Sequence, residues 1–304
     1  MKRNRSMQDM TEGRPISLIL KFFFPLLFGM LFQQFYNLVD TAIVGKFLGP
    51  DDLAAVGATG SVNFLILGFC MGVCNGFSIP VAQKFGAKDE SGLRRFVANS
   101  VWLSVIFAAV MTVVVCILCR QILIWMDTPA NILEGSYRYI FVIFLGIPVT
   151  YLYNLLSGIM RALGDSKTPL IFLILSSVLN ILFDLGAILI LHMGVAGAAW
   201  ATVIGQLVSC GLDFIFHVVC NRRDINTGLA YLRPKPRLIK GIYAIGVPAI
   251  VMQALMSVMC FGVNIIFGTV STEAVTAYGV YYKIQQFVLF AAFGMNNAMI
   301  PIIS

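Results

Sequence analysis

Charge is what this sequence has least of. Only 12% of its 304 residues are Asp, Glu, Lys or Arg, against roughly 25% in soluble domains. With 59% hydrophobic residues and a mean hydropathy of +0.88, this excludes an ordinary water-soluble globule and points to a polytopic α-helical membrane protein. Histidine is nearly absent. His192 and His217 each end an apolar run and read as interfacial residues, not as bases or ligands. No further His or Cys follows Cys70/Cys74 or Cys116/Cys119 at metal-ligand spacing, so the seven cysteines read as small packing residues. No G-x-x-x-x-G-K-[ST] loop is present, so the chain itself has no ATP site. No clustered nucleophile, base or metal set marks an enzyme. No cofactor is expected, only a coupling ion. No cleavable leader is expected either: the first apolar run is too long for an h-region, and no small-residue cleavage site follows it.

The net charge of +7 does not imply nucleic acid, because its distribution has a topological explanation. Apolar segments run over roughly 16–46, 53–81, 96–118, 137–159, 169–191, 195–219, 240–268 and 274–303. Each exceeds the roughly 20 residues that cross a bilayer core. With eight spans, 17 of the 21 Lys and Arg residues fall at one face: the N-terminus to Lys21 and the loops 82–95, 160–168 and 220–240. Basic loops stay in the cytoplasm. A multi-pass protein of the cell membrane with a cytoplasmic N-terminus is therefore expected, in contact with lipid and monomeric.

The polar exceptions within the spans carry the functional signal. The first span holds Gln33, Asn37, Asp40 and Thr41, spaced as one helix face. A carboxylate at bilayer depth costs roughly 2.5–3.5 kcal/mol, and the Leu, Ile, Phe and Val residues of this span outweigh it. Such a stripe either lines an ion or substrate path or forms an interhelical hydrogen-bond seam; the cost of the carboxylate favours the path for Asp40. The fifth span carries Ser176, Ser177, Asn180 and Asp184, and the sixth Thr202, Gln206, Ser209 and Asp213. Carboxylates, an amide and a hydroxyl suit Na⁺, or a proton shared between desolvated carboxyls. Asp213, near the cytoplasmic end of its span, is expected to reach water or an arginine. Later spans add Gln253, Ser257, Asn264, Tyr278, Tyr281, Tyr282, Lys283 and Gln285. The three tyrosines either stack on a flat organic cation or form an interfacial belt.

The chain also repeats itself. Pro25 and Gly45 match Pro248 and Gly268 at an offset of 223, and Asn75–Pro80 resembles Asn296–Pro301. Parallel repeats of this kind build transporters with two equivalent halves. Residues 1–220 are expected to form a six-helix N-terminal lobe, 221–239 a cytoplasmic linker, and 240–304 the first two helices of a second, parallel lobe. The repeat breaks off at Ser304, so an incomplete chain is expected, unable to transport alone. Asp40 has Val263 as its repeat counterpart, which assigns any coupling ion to the first lobe.

Several motifs then coincide. Arg161-Ala-Leu-Gly-Asp-Ser-Lys-Thr-Pro169, Pro25 with Asp40, Gln83–Ala87, Asn180 with Asp184, and Gly194–Thr202 resemble, in order and position, the multidrug and toxic compound extrusion (MATE) transporters. The resemblance implies a V-shaped transporter of two six-helix lobes that exports organic cations in exchange for Na⁺ or H⁺. It assigns a cation site to Asp40, Asn180, Asp184 and Thr202; the polar stripes themselves give Gln33, Asn37, Thr41, Gln206, Gln253, Tyr278 and Tyr282 as expected cavity or substrate-path residues. The alternatives are a flippase for lipid-linked oligosaccharide or polysaccharide, or a non-transporting membrane fragment. A flippase is expected to need basic cavity residues, whereas here the stripes carry Asp.

Overall fold

The computed structural model describes residues 14–126, 128–220 and 236–270, with scattered residues between 281 and 299. The described part is all-helical: α1 (Pro15–Phe47), α2 (Pro50–Gly86), α3 (Glu90–Trp125), α4 (Ala130–Leu145), α5 (Ile147–Ala162), α6 (Lys167–Leu185) running into a π-helical turn at Gly186–Ile190, α7 (Val195–Cys220) and α8 (Pro236–Val270). Among the described residues, five helices are long and apolar enough to cross a membrane. They become six when α4 and α5, bent by 46°, are taken as one broken span.

That break is the main departure from the apolar pattern. The run read as one span over 137–159 is two helices meeting at Gly146, and the first begins at Ala130. Pro148 lies in the first turn of α5, where its missing N–H costs nothing, and it prevents α4 from continuing through. The eighth expected span falls largely outside the described residues, as do Tyr278 and Tyr282 and most of the linker.

The turns follow from their residues. In the Arg161–Pro169 loop, Gly164 takes φ 82°, a left-handed conformation that closes the end of α5 and that a side chain would resist. Asp165 then opens α6. Its Oδ1 accepts from the backbone N–H groups of Lys167 and Thr168, each at 3.1 Å, and its Oδ2 accepts from the Thr168 hydroxyl at 2.7 Å. At the α2–α3 turn, Asp89 caps α3 through Gly92 N at 2.9 Å and meets Lys84 Nζ at 3.2 Å.

In a bilayer the apolar face of a helix gains little by meeting another helix, so close packing of small residues holds the bundle. α3 shows the division. Val97, Ala98, Ser100, Ser104, Ala108, Val115 and Cys119 face inward, while Val105, Ile106, Val110, Val113, Val114 and Ile117 are exposed. Cys70, Cys74, Cys119 and Cys210 are buried, unpaired packing residues. Buried hydroxyls find carbonyls: Ser177 bonds Leu173 O of its own helix at 2.8 Å, and Ser136 bonds Ala55 O across helices at 3.0 Å. α1 packs on α6, α6 on α7, and α8 lies along α2.

Candidate cation site

α1, α6 and α7 bring four of the expected ligands together. Asp40 of α1, and Asn180 and Asp184 of α6, are buried, and Asp184 is 0% exposed. The Asp40 and Asp184 carboxyls lie close enough for each to act on the other. Ionised carboxylates can only accept, so two of them can be joined only through a proton or a cation. Oδ1 of each acid is buried without a partner. Asn180, one turn before Asp184, joins the pair to α7. In the amide orientation that satisfies both its atoms, Nδ2 donates to Asp184 Oδ2 at 3.2 Å and the oxygen accepts from Thr202 N at 3.1 Å. In the other orientation Nδ2 donates to Thr202 Oγ1 at 3.3 Å. Thr202 Oγ1 also bonds Ala198 O at 3.1 Å.

This closeness depends on Gly205. A Cβ there would stand 3.2 Å from Asn180 Cβ and 3.4 Å from Ser176 O. Only a glycine lets α7 approach α6 this closely at the level of the site.

The stripe on α1 does not share one environment. Adjacent residues of a helix are roughly 100° apart, so Thr41 points well away from Asp40. It is exposed and bonds Asn37 O at 2.8 Å, and Asn37 is also exposed. Gln33, nearly in line with Asp40, faces inward instead. It lines a cleft of about 170 Å³ with Asn75, Tyr153, Asn154 and Arg161, and a void of about 20 Å³ with Tyr36, Asn180, Thr202 and Gln206. Neither reaches the roughly 300 Å³ of a drug-sized pocket, but both suit water or a small ion. Gln206 accepts from the Thr150 hydroxyl. The Gln253 side chain, Tyr278 and Tyr282 lie outside what the structure describes.

Two tyrosines escaped the sequence reading. Tyr36 of α1 and buried Tyr139 of α4 stand close to both acids. Tyr36 had a signal, being one turn before Asp40 on the same face. Tyr139 had none, because only the tertiary fold brings this part of α4 near the acids. Asp213 is a correction. It is 0% exposed, it lies within the influence of Arg161 but forms no ion pair among the described residues, and it accepts from Ser157 Oγ at 3.1 Å. Its helix ends at Cys220, only one residue past the expected run, so the burial comes from what packs around that turn.

The MatE family pattern covers residues 25–185, more than half of the chain. The chain is 31% identical over 290 residues to the probable multidrug resistance protein YoeA of Bacillus subtilis, covering 91% of this chain and 61% of that protein. Among solved structures it resembles an outward-facing multidrug resistance MATE family transporter, with a TM-score of 0.91 and 27% identity over 99% of this chain and 67% of the other. It matches equally well, at TM-score 0.91 and 27% identity with the same coverage, a MOP superfamily transporter from Pyrococcus furiosus described as having a binding pocket of reverse polarity that suggests a different function. The chain thus spans about three-fifths of the length of its curated relative YoeA. The match of sequence pattern, relatives and fold has one conclusion: this chain belongs to the MatE family of multidrug and toxic compound extrusion transporters.

Proposed function

We propose that this chain forms the ion-coupled lobe of a secondary active antiporter, which exports small organic cations in exchange for Na⁺ or H⁺ by alternating access. The observation that carries this is the buried Asp40–Asp184 pair, with an unpartnered oxygen on each acid and the neutral oxygens of Asn180 and Thr202 beside it. Two carboxyls in a dry pocket cannot both stay charged without a cation or proton between them. Loading the pair with Na⁺ or H⁺ lets α1 settle against α6, and emptying it favours a different packing. Pro25, inside α1 and lining the neighbouring cleft, supplies the hinge, because its missing N–H leaves the carbonyl one turn back unbonded. Drug release and ion entry are then reciprocally linked.

The drug itself needs more room than the cleft and the void beside the acids provide, so its site lies between this lobe and a second one. The packing supports two parallel repeats of six spans, of which this chain carries eight spans in all. α2 pairs with α8, while Phe22, Phe23 and Leu26 of α1 pack with Ala291, Met295 and Ala298. That exchange of first and second helices is what a two-fold relation between lobes produces. The transporter is a monomer in the cell membrane, with the basic end, N-terminus included, in the cytoplasm. The acids of this site favour cation coupling over a flippase for anionic lipid-linked sugars.

The test is efflux of a fluorescent cation from proteoliposomes holding the full-length protein, with Na⁺ and pH varied independently. Asp40→Asn keeps the shape of a protonated acid, so it should fold normally and lose ion-driven efflux. A stable Asp40→Asn protein with wild-type efflux and ion response would refute the proposal.

A further inference from the structure

Arg161, in the last turn of α5, turns its charge inward. An arginine at the end of a span ordinarily reaches out to water. Here a Cβ built on Gly158, one turn back, would stand 3.9 Å from a terminal guanidinium nitrogen of Arg161, so the side chain folds back along its own helix. It lines the cleft of about 170 Å³ between α1, α2, α5 and α6. Among the described residues the guanidinium has no ion pair and no hydrogen bond. The titratable groups around it are Tyr153 of α5, Cys74 of α2 and Asp213 of α7. The polar lining of the cleft also holds Gln33, Asn75, Asn154, Ser157 and Ser166, and no carboxylate. Ser157 Oγ is committed to Asp213 at 3.1 Å, and Asn154 Nδ2 to Thr150 O at 2.7 Å. The side-chain amides of Gln33 and Asn75 and the Ser166 hydroxyl have no hydrogen bond among the described residues.

A guanidinium withdrawn into a bundle and left unpaired is costly, and its fork of N–H donors matches a carboxylate. The rest of the wall is apolar, with Leu26, Met30, Met71, Leu170 and Leu173. A bare inorganic anion would leave those side chains against water. One cation, with Asp213 nearby, balances a single negative charge and not the two of a phosphate monoester. The room is also right, since a cavity of roughly 150 Å³ admits benzene. We infer that this cleft binds the carboxylate of a small organic acid. Arg161 holds the carboxylate, the unspent amides of Gln33 and Asn75 complete its hydrogen bonds, and the apolar body lies against α1 and α6. The site is separate from the acid pair. Gln33 stands two turns before Asp40, about 10 Å along the axis of α1. The lobe therefore offers acids at one level and a lone cation at another.

The experiment is fluorine NMR of 4-fluorobenzoate titrated with the full-length protein in a non-ionic detergent. The wild type should broaden the signal. Unlabelled benzoate should reverse the broadening, and benzamide, its neutral isostere, should not. Arg161→Gln should weaken binding about thirtyfold. Arg161→Lys should restore part of it, because the charge survives and the planar fork does not. Asn75→Asp sets an acid among the lining residues and should abolish binding with the arginine in place; it decides the matter where the Arg161 variants fail to fold. Asp40→Asn should bind the probe as the wild type does, which keeps this site distinguishable from the coupling site. Reversal by benzamide overturns the inference, as does wild-type broadening by a folded Arg161→Gln or Asn75→Asp protein. Loss of binding in a folded Asp40→Asn protein overturns the separate site. Dihexanoyl phosphatidylglycerol should not compete, because the cleft has no room for a headgroup and two chains; its displacement of the probe would make this a lipid-headgroup site and overturn the assignment to a small acid.

Discussion

Gly205→Ala tests the site through packing alone, without touching a ligand. The added methyl would sit 3.2 Å from Asn180 Cβ and 3.6 Å from Asn180 Cα. Those atoms belong to a helix and cannot rotate away, so α6 and α7 must part by a few tenths of an ångström. Overpacking of this kind costs about 1–3 kcal/mol. Replacing glycine inside a helix returns about 0.5–1 kcal/mol. The net loss of stability should therefore be small, about 1 kcal/mol. The effect on ions should be proportionately larger, because the strain is felt most where ligands hold α6 against α7. A strain of about 1.4 kcal/mol confined to the loaded state weakens ion binding about tenfold. The control is Gly211→Ala on the same helix, where a Cβ meets nothing within 4 Å. It gains helix propensity without strain and should leave ion affinity alone. Thermal unfolding in detergent, titrated with Na⁺ and with pH, reads both quantities, since a bound ion raises stability with its concentration over Kd. The reasoning is falsified if Gly205→Ala keeps the wild-type ion response, or if Gly211→Ala weakens it as much.

Asp40→Asn and Asp184→Asn should each abolish ion coupling, and the double variant should be little worse than either, because the acids act as one unit; additive losses in efflux would show two independent sites. Asn180→Ala and Thr202→Ala should right-shift the ion titration less severely, since they remove only neutral oxygens. At the α2–α3 turn, the Gly92 N–H and then Lys84 hold the Asp89 carboxyl below the ordinary carboxylate range. Its contribution to stability is thus complete above about pH 4 and lost as pH falls through its own lower value, so wild type and Asp89→Ala should unfold at converging temperatures below about pH 4. Single cysteines in the 82–92, 160–168 and 221–239 loops should react only from the cytoplasm, and external labelling of 160–168 in intact cells would reverse the orientation.

What the sequence made legible follows from which forces act locally. The run over 16–46 had to be a helix, because in hydrocarbon no other structure bonds the backbone within one segment, and α1 spans it. Asp40, Asn180 and Asp184 could be singled out because a buried acid is expensive wherever its helix goes. That α1 and α6 meet is a product of the fold, although two polar stripes with nowhere else to face are consistent with it. The misreadings have equally physical causes. Hydropathy is blind to direction, so the bend between α4 and α5 was hidden within one apolar run although Gly146 and Pro148 were in view. A helical stripe drawn at i, i+4, i+7 and i+8 is wide enough to include Thr41, whose side chain leaves the face that Asp40 commits to. Tyr139 is apolar enough to pass as packing, and only the fold brings its hydroxyl to the acids. Along the chain Asp213 is near the end of its span, and distance along the chain places it near water. Burial depends instead on what surrounds that turn of helix. There Ser157, Tyr153 and Phe172 lie against α7, and a carboxyl that periodicity placed near a surface ends inside the lobe.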